Sequence, residues 1–376
     1  MTVPSVNWNY PTAIKAGPGR IKELPDWCRE LGMARPLLVT DPGLAALPMI
    51  ADAVRGCRQA GLECGLFHEV KGNPTGRNVD DGVIAFGGGS ALDAAKAIAL
   101  MAGQKRPLWD FEDVGDNYLR VNVAGMAPVV AVPTTAGTGS EVGRASVITD
   151  EAAQVKRIIF HARMLPAIVI LDAELTVGLP PRITAATGMD ALSHNLEAYC
   201  SPFFHPMAAG IALEGMRMIK EYLPRAVADG ADLQARQQML VASSMGATAF
   251  QRGLGAMHAL AHPLGALYDA HHGMLNAILM PYVLKANQHA VAPRLQALAR
   301  YLALPDDGPG AVLDWVLGLR ETVGIPHTLA DIGIDDAQAE RVGRMASEDP
   351  SGGTNPVAYT PDQYAELFRA AVRGIL

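Results

Sequence analysis

Up to about residue 175 the chain repeats one pattern: an apolar run of strand length, a turn signal, then a stretch with helical spacing. PLLVT (36–40) ends at Asp41, CGLFHEV (64–70) ends in a Gly/Pro loop, and GVIAF (82–86) runs into Gly87-Gly88-Gly89-Ser90. PVVAVPTT (128–135) and AIVILD (167–172) complete the series. Strands alternating with helices predict a mostly parallel sheet with helices on both faces. From LPPRITAATGMD (179–190) onward the pattern changes. Segments 186–200, 206–224, 232–250 and 254–269 have helical spacing, and little reads as strand. The natural cut lies near Leu179-Pro180, giving an α/β domain over 1–180 and an all-helical domain over 181–376.

Composition narrows the function classes. With 376 residues, 49% of them hydrophobic and 18% charged, the chain can bury a large core without disulfides. Its 31 basic and 38 acidic residues give a net charge of −7 without a basic run, which argues against a nucleic-acid partner. The longest apolar runs, such as AIVIL (167–171), are too short to cross a bilayer, so no membrane partner is expected. The N-terminus, MTVPSVNWNYPTAIKAGPG, lacks the charged start and apolar core of a signal peptide. Cys28, Cys57, Cys64 and Cys200 show no paired spacing, which suits a reducing cytoplasm.

The chemistry-bearing residues concentrate in two segments of the helical half. GLGAMHALAHPLGALYDAHHG (253–273) carries four of the ten histidines in an otherwise apolar stretch. Upstream, GMDALSH places Asp190 and His194 at i and i+4, on one face of a helix. His258 and His262 share that spacing, and His272 can return from the far end of a short turn. A buried imidazole alone is most simply a satisfied core residue. Several with a carboxylate in apolar surroundings point to a divalent metal, whose ligands these are.

In the first half two loops suit an anion. Gly87-Gly88-Gly89-Ser90 follows a strand and opens ALDAAKAIALMA, so free N–H groups and the new helix dipole favour a diphosphate there. The spacing is not GxGxxG, and a tight strand-to-helix turn would look the same. In PTTAGTGSE, Thr134, Thr135, Thr138 and Ser140 offer hydroxyls on a glycine-loosened loop, or simply an N-cap run. Asp41, at the end of an early strand, can accept hydrogen bonds from an adenosine ribose, or start a turn before Pro42. Two such loops on one sheet favour a nucleotide.

Together these segments resemble the iron-containing (group III) alcohol dehydrogenase family, which has a dehydroquinate synthase-like fold. GGGSALDAAKAIA (87–99) is similar to the family's GGGSxxDxAK motif and PTTAGTGSEV (133–142) to its second nucleotide loop. GMDALSHNLEAY (188–199) and GLGAMHALAHPLGALYDAHHG (253–273) resemble its metal signatures, so the likeness spans nearly the whole chain. The resemblance implies an α/β Rossmann-like N-terminal domain followed by an all-helical metal-binding domain. It implies NAD and Fe²⁺ as cofactors, with Zn²⁺ as the alternative ion, and a cytoplasmic homodimer. Carried over by position, Asp190, His194, His258 and His272 hold the metal. His262 is the residue near the nicotinamide, read as the proton relay. Asp41, Asn73, Gly88, Gly89, Ser90, Asp93, Thr134, Thr135, Ser140 and Lys156 hold the cofactor.

The activity implied is hydride transfer between NAD and a small primary alcohol or its aldehyde, with the ion polarising the substrate oxygen. Glycerol dehydrogenase-type and maleylacetate reductase-type reductases are the near alternatives. A dehydroquinate synthase-like lyase is further off, because that family ligates zinc through Glu and two His rather than an Asp-led set of four. Two departures stand out. His271 replaces the family's Pro before the last ligand, so His271 and His272 compete, and the register of the HG dipeptide favours His272. The strand at 64–70 is joined to GVIAF only by KGNPTGRNVDD (71–81). If these strands are parallel neighbours, a crossover of a dozen or more residues is expected between them. The resembling family has a helix here, of which about ten residues are gone, either because the natural chain is shortened or because the sequence lacks residues that belong there. A break wider than the roughly 3.8 Å of a trans peptide is expected between Arg77 and Gly82.

Overall fold

Apolar runs become strands of one sheet because both of its faces are covered. A computed structural model describes residues 10, 12–69, 79–150, 153, 155–308 and 310–376. These divide into two units, Tyr10–Thr135 with Gly139–Gly178, and Leu179–Leu376 with Ala136–Thr138.

The first unit runs β1 (Ala13–Ala16), α1 (Leu24–Glu30), β2 (Pro36–Val39), α2 (Pro42–Ala45), α3 (Pro48–Gln59) and β3 (Gly65–Phe67). It continues with β4 (Gly82–Gly87), α4 (Gly89–Met101), β5 (Val129–Pro133), β6 (Ala145–Asp150), β7 (Val155–Phe160) and β8 (Ile168–Leu171). Among the described residues, six strands form a parallel sheet in the order β1-β8-β5-β4-β2-β3. Every residue of β2, β4, β5 and β8 is buried, as a sheet covered on both faces requires. Leu38, Ile84, Phe86, Val130 and Ile170 pack with Cys28, Ile50 and Cys57 of α1 and α3. On α4, Ala97 and Leu100 join Phe111, Ile148 and Ile159 in a second cluster.

Three strands lie outside the expected series. β1 is an edge strand whose AIKA has no apolar run, held by its register with β8. β6 and β7 form an antiparallel pair whose alternating burial and interrupting Lys156 and Arg157 hide it from a search for continuous apolar runs. β3 and β4 are not neighbours, because β2 lies between them and pairs with both. The break expected between Arg77 and Gly82 falls partly on residues 70–78, which lie outside the described residues.

The second unit is helical: α5 (Pro181–Cys200), α6 (Pro206–Ala228), α7 (Leu233–Ala249), α8 (Ala256–Tyr268), α9 (His272–Tyr301), α10 (Ala311–Thr322), α11 (Ala339–Glu348) and α12 (Pro361–Arg373). Proline at its first position starts α5, and the guanidinium of Arg294 donates to the Cys200 carbonyl at its end (2.8 Å). From Thr184 to Cys200 every residue of α5 is buried, polar ones such as Asp190, His194 and Glu197 included, so this helix is central to the unit. Asp269 ends α8 in the left-handed conformation (φ 51°), which Asp tolerates better than most residues, and the chain turns at once into α9. Among the described residues no helix is long and apolar enough to cross a membrane.

Candidate metal centre and nucleotide loops

One turn of α5 aligns Asp190 with His194, the first turn of α8 supplies His258, and the first residue of α9 is His272. Asp190, His194 and His258 are buried, and each offers a donor atom within 4.8 Å of the others'. His272 Nε2 lies 3.8 Å from Asp190 Oδ1, and its ring centroid is 5.3 Å from that of His258. Donors around one tetrahedral ion at about 2.1 Å stand about 3.4 Å apart, so Asp190, His194 and His258 would draw in by up to about 1.4 Å to hold one. Three imidazoles and a carboxylate suit a borderline divalent ion such as Fe²⁺ or Zn²⁺. The structure brings His272 to this cluster and leaves His271 exposed, where its Nδ1 accepts from Met274 N and caps α9 (3.3 Å).

The donors are held from behind. Glu197, one turn beyond His194, places Oε2 2.6 Å from His258 Nδ1, and its Oε1 accepts from Met257 N (2.7 Å). Asn276 is fully buried, and its Nδ2 donates to Asp190 Oδ1 (2.8 Å). The same nitrogen stands 3.1 Å from His258 Nε2 and 3.2 Å from His272 Nε2. Burial pushes His194 down to about 4, against the opposing pull of Asp190. Burial also acts to lower His258, but Glu197, with Asp190 and Asp349, raises the group above its ordinary value. Among the described residues, His194 Nδ1 and Asn276 Oδ1 are buried without a hydrogen-bond partner, so the cluster is not fully satisfied by them.

His262 stands at the edge of this set. Its ring stacks on that of His272 (centroids 5.5 Å apart, 11° between planes), and its Nδ1 is 2.8 Å from Asp349 Oδ2. Burial acts to raise Asp349, but the bond to His262 and the Ser351 N–H hold it below the usual carboxylate range.

The first unit gathers its loops at the carboxyl ends of three adjacent strands, β5, β4 and β2. Gly87 ends β4 with φ +149°, and a Cβ there would fall 2.7 Å from that of Ala91 and 3.4 Å from Asp41 Oδ2. Only glycine makes this turn. Gly88 caps α4, with Gly89 and Ser90 in its first turn. Thr134 N donates to the Gly87 carbonyl (3.0 Å), and Thr135 adjoins Gly88. Asp41 Oδ1 caps α2 by accepting from Leu44 N (3.0 Å). Asp93 and Ser140 bond to each other, and Asp93 also accepts from Val147 N (2.9 Å) and pairs with buried Lys96 (3.2 Å). Lys156 lies on β7 opposite Thr149. Asn73 lies outside the described residues.

Sequence reasoning passed over Glu197, Asn276 and Asp349. Glu197 continues the Asp190, His194 stripe at i+7, and Asn276 stands at i+4 from His272, so both carried a helical signal. Asp349 carried none, because 87 positions separate it from His262.

Comparison with known proteins follows the same division. Residues 11–173 match the family model "Iron-containing alcohol dehydrogenase", and residues 184–372 match "Fe-containing alcohol dehydrogenase family, C-terminal". The chain is 38% identical to a 4-hydroxybutyrate dehydrogenase of Cupriavidus necator, over 96% of this chain and 99% of that protein. It is 34% identical to an NAD-dependent methanol dehydrogenase of Bacillus methanolicus, over 97% of this chain and all of that protein (100%). Among solved structures, a 1,3-propanediol oxidoreductase superposes with a TM-score of 0.91 at 34% identity, covering 98% of this chain and 100% of that one.

Proposed function

We propose, from the premise that this chain belongs to the iron-containing alcohol dehydrogenase family, that it interconverts a small primary alcohol and its aldehyde with NAD and Fe²⁺. The convergence of Asp190, His194 and His258 in a buried core, with His272 beside them, carries this reading. These four residues would hold the ion, which when bound supplies Lewis-acid stabilisation of charge on a substrate oxygen. NAD supplies the hydride chemistry.

The chain's own residues do the rest. His262 relays the proton: Asp349 engages Nδ1, which leaves Nε2 to accept a proton released from the substrate hydroxyl and pass it to water. Gly88, Gly89 and Ser90 at the start of α4 seat the diphosphate. Thr134 and Thr135 line that seat, and the family resemblance adds Lys156 and Asn73 as further cofactor-binding residues. Asp93 and Ser140 hold the two loops in register through their mutual bond. Asp41, beside Gly87, receives the ribose and disfavours the 2′-phosphate of NADP. We assign residues 1–180 to dinucleotide binding and 181–376 to the metal.

Relatives named for 4-hydroxybutyrate, methanol and 1,3-propanediol share an unbranched primary alcohol, which supports that substrate class over glycerol or maleylacetate. The resemblance also supports a cytoplasmic homodimer, which light scattering tests. For the reaction, the protein is loaded anaerobically with Fe²⁺ or Zn²⁺ and NADH oxidation at 340 nm is followed with a panel of aldehydes. Iron-dependent turnover of a short aliphatic aldehyde is expected; full turnover with zinc alone, or with no metal, would overturn the iron assignment.

A further inference from the structure

Taking the metal reading above as its basis, we propose that Glu197 is a positioning residue of the metal centre. It fixes the tautomer of His258 that turns Nε2 toward the ion, and it ties that ring to the start of α8.

The argument begins with the amide of Asn276. Its Nδ2 lies 2.8 Å from Asp190 Oδ1, so it is the donor; the reverse orientation would set two oxygens against each other. The same Nδ2 stands 3.1 Å from His258 Nε2 and 3.2 Å from His272 Nε2, and its two hydrogens cannot serve all three acceptors. A protonated His258 Nε2 would nonetheless set donor against donor, so that nitrogen carries a bare lone pair. A neutral imidazole with an acceptor Nε2 carries its proton on Nδ1. At 2.6 Å from that nitrogen is Glu197 Oε2, and a carboxylate there holds the proton in place. The lone pair that meets Asn276 is thus the one an ion at the donor cluster would take.

Glu197 is not itself placed to be a ligand, since both its oxygens are engaged. Oε1 accepts from Met257 N at 2.7 Å, in the first turn of α8 and one residue before His258. One carboxylate therefore sets the tautomer, the ring orientation and the entry of the helix that carries the ligand. A carboxylate that is only 5% exposed is costly to bury, and this double engagement is what compensates it. Its negative charge also makes the imidazole a stronger donor to an ion. A neutral amide cannot reproduce the arrangement, because it offers one acceptor where two N–H groups converge. Its NH₂ would meet either Met257 N–H or His258 Nδ1, and in the second case it favours the wrong tautomer.

The test measures metal affinity, not turnover. Zn²⁺ and Co²⁺ are titrated into wild type, Glu197→Gln and Glu197→Asp in competition with a chromophoric chelator, and the melting temperature of each metal-free protein is recorded. Losing such a partner typically weakens affinity about 10–100-fold, and that loss is expected for Glu197→Gln, with Glu197→Asp recovering part of it. Affinity unchanged in Glu197→Gln overturns the proposal. A loss of melting temperature in the metal-free protein with metal affinity preserved overturns it too, by showing a packing role only. Failure of the wild type to bind either ion would instead overturn the metal reading. Should Glu197→Gln not fold, wild-type protein with ¹⁵N-labelled histidine and bound Zn²⁺ decides. A slowly exchanging His258 Nδ1–H supports the proposal, and a protonless Nδ1 overturns it.

Discussion

Gly255→Ala is the substitution that best probes how the structure aims His258. Gly255 precedes α8, and a Cβ on it would lie 2.8 Å from Asn355 Oδ1 and 2.8 Å from Glu197 Oε1. Those oxygens accept the first two N–H groups of the helix, from Ala256 (3.1 Å) and Met257 (2.7 Å). Both must retreat by several tenths of an ångström to readmit van der Waals distance. A neutral hydrogen bond contributes about 0.5–1.5 kcal/mol and one to a charged group about 1.5–3 kcal/mol. Losing most of both costs about 2–4 kcal/mol. At about 2–4 °C per kcal/mol for a unit of this size, the melting temperature should drop on the order of 5–15 °C. The assay is calorimetry on metal-free protein beside Gly318→Ala, whose Cβ meets nothing within 4 Å in a helix and which should stabilise slightly. Metal affinity should fall as well, because the displaced carboxylate is bonded to His258. A melting temperature within about 2 °C of wild type, with metal affinity intact, would refute the reasoning.

Gly87→Ala should weaken NADH binding, read by the cofactor's fluorescence, because a Cβ at φ +149° strikes Ala91 at 2.7 Å and costs about 1–3 kcal/mol of backbone strain; undiminished binding would argue against a cofactor at this turn. Asp41→Gly should narrow the preference for NADH over NADPH by relieving a repulsion on the order of 1–3 kcal/mol, and an unchanged kcat/KM ratio would count against Asp41 at the ribose. Asp349→Asn should lower kcat about 100-fold while metal content stays at the wild-type level, since Asp349 touches His262 and no donor of the cluster. Equal turnover would remove His262 from the proton path.

How much of this was legible depended on whether the signal was local. Four of the five apolar runs marked strands because a sheet buried on both faces demands continuous hydrophobicity, the fifth is the half-buried edge strand β3, and the helical half announced itself by spacing. The edge strand β1 and the β6–β7 pair escaped because their burial is one-sided or partial. Strand order was invisible: nothing in residues 64–86 says that β2 inserts between β3 and β4. At the site, Asp190 and His194 could be paired from the sequence because one helix turn joins them. The bond from His262 to Asp349 arises only when the turn at Pro350–Thr354 folds against α8, so no periodicity encodes it.

The central claim is that one ion held by Asp190, His194, His258 and His272 makes this chain a dehydrogenase. Metal analysis of anaerobically prepared wild type and His258→Ala, with NADH oxidation followed on the same samples, tests it most directly. Wild type should carry about one iron per chain and turn over aldehyde. His258→Ala should stay folded and lose both metal and activity together. Full turnover by a metal-free His258→Ala protein would contradict the claim.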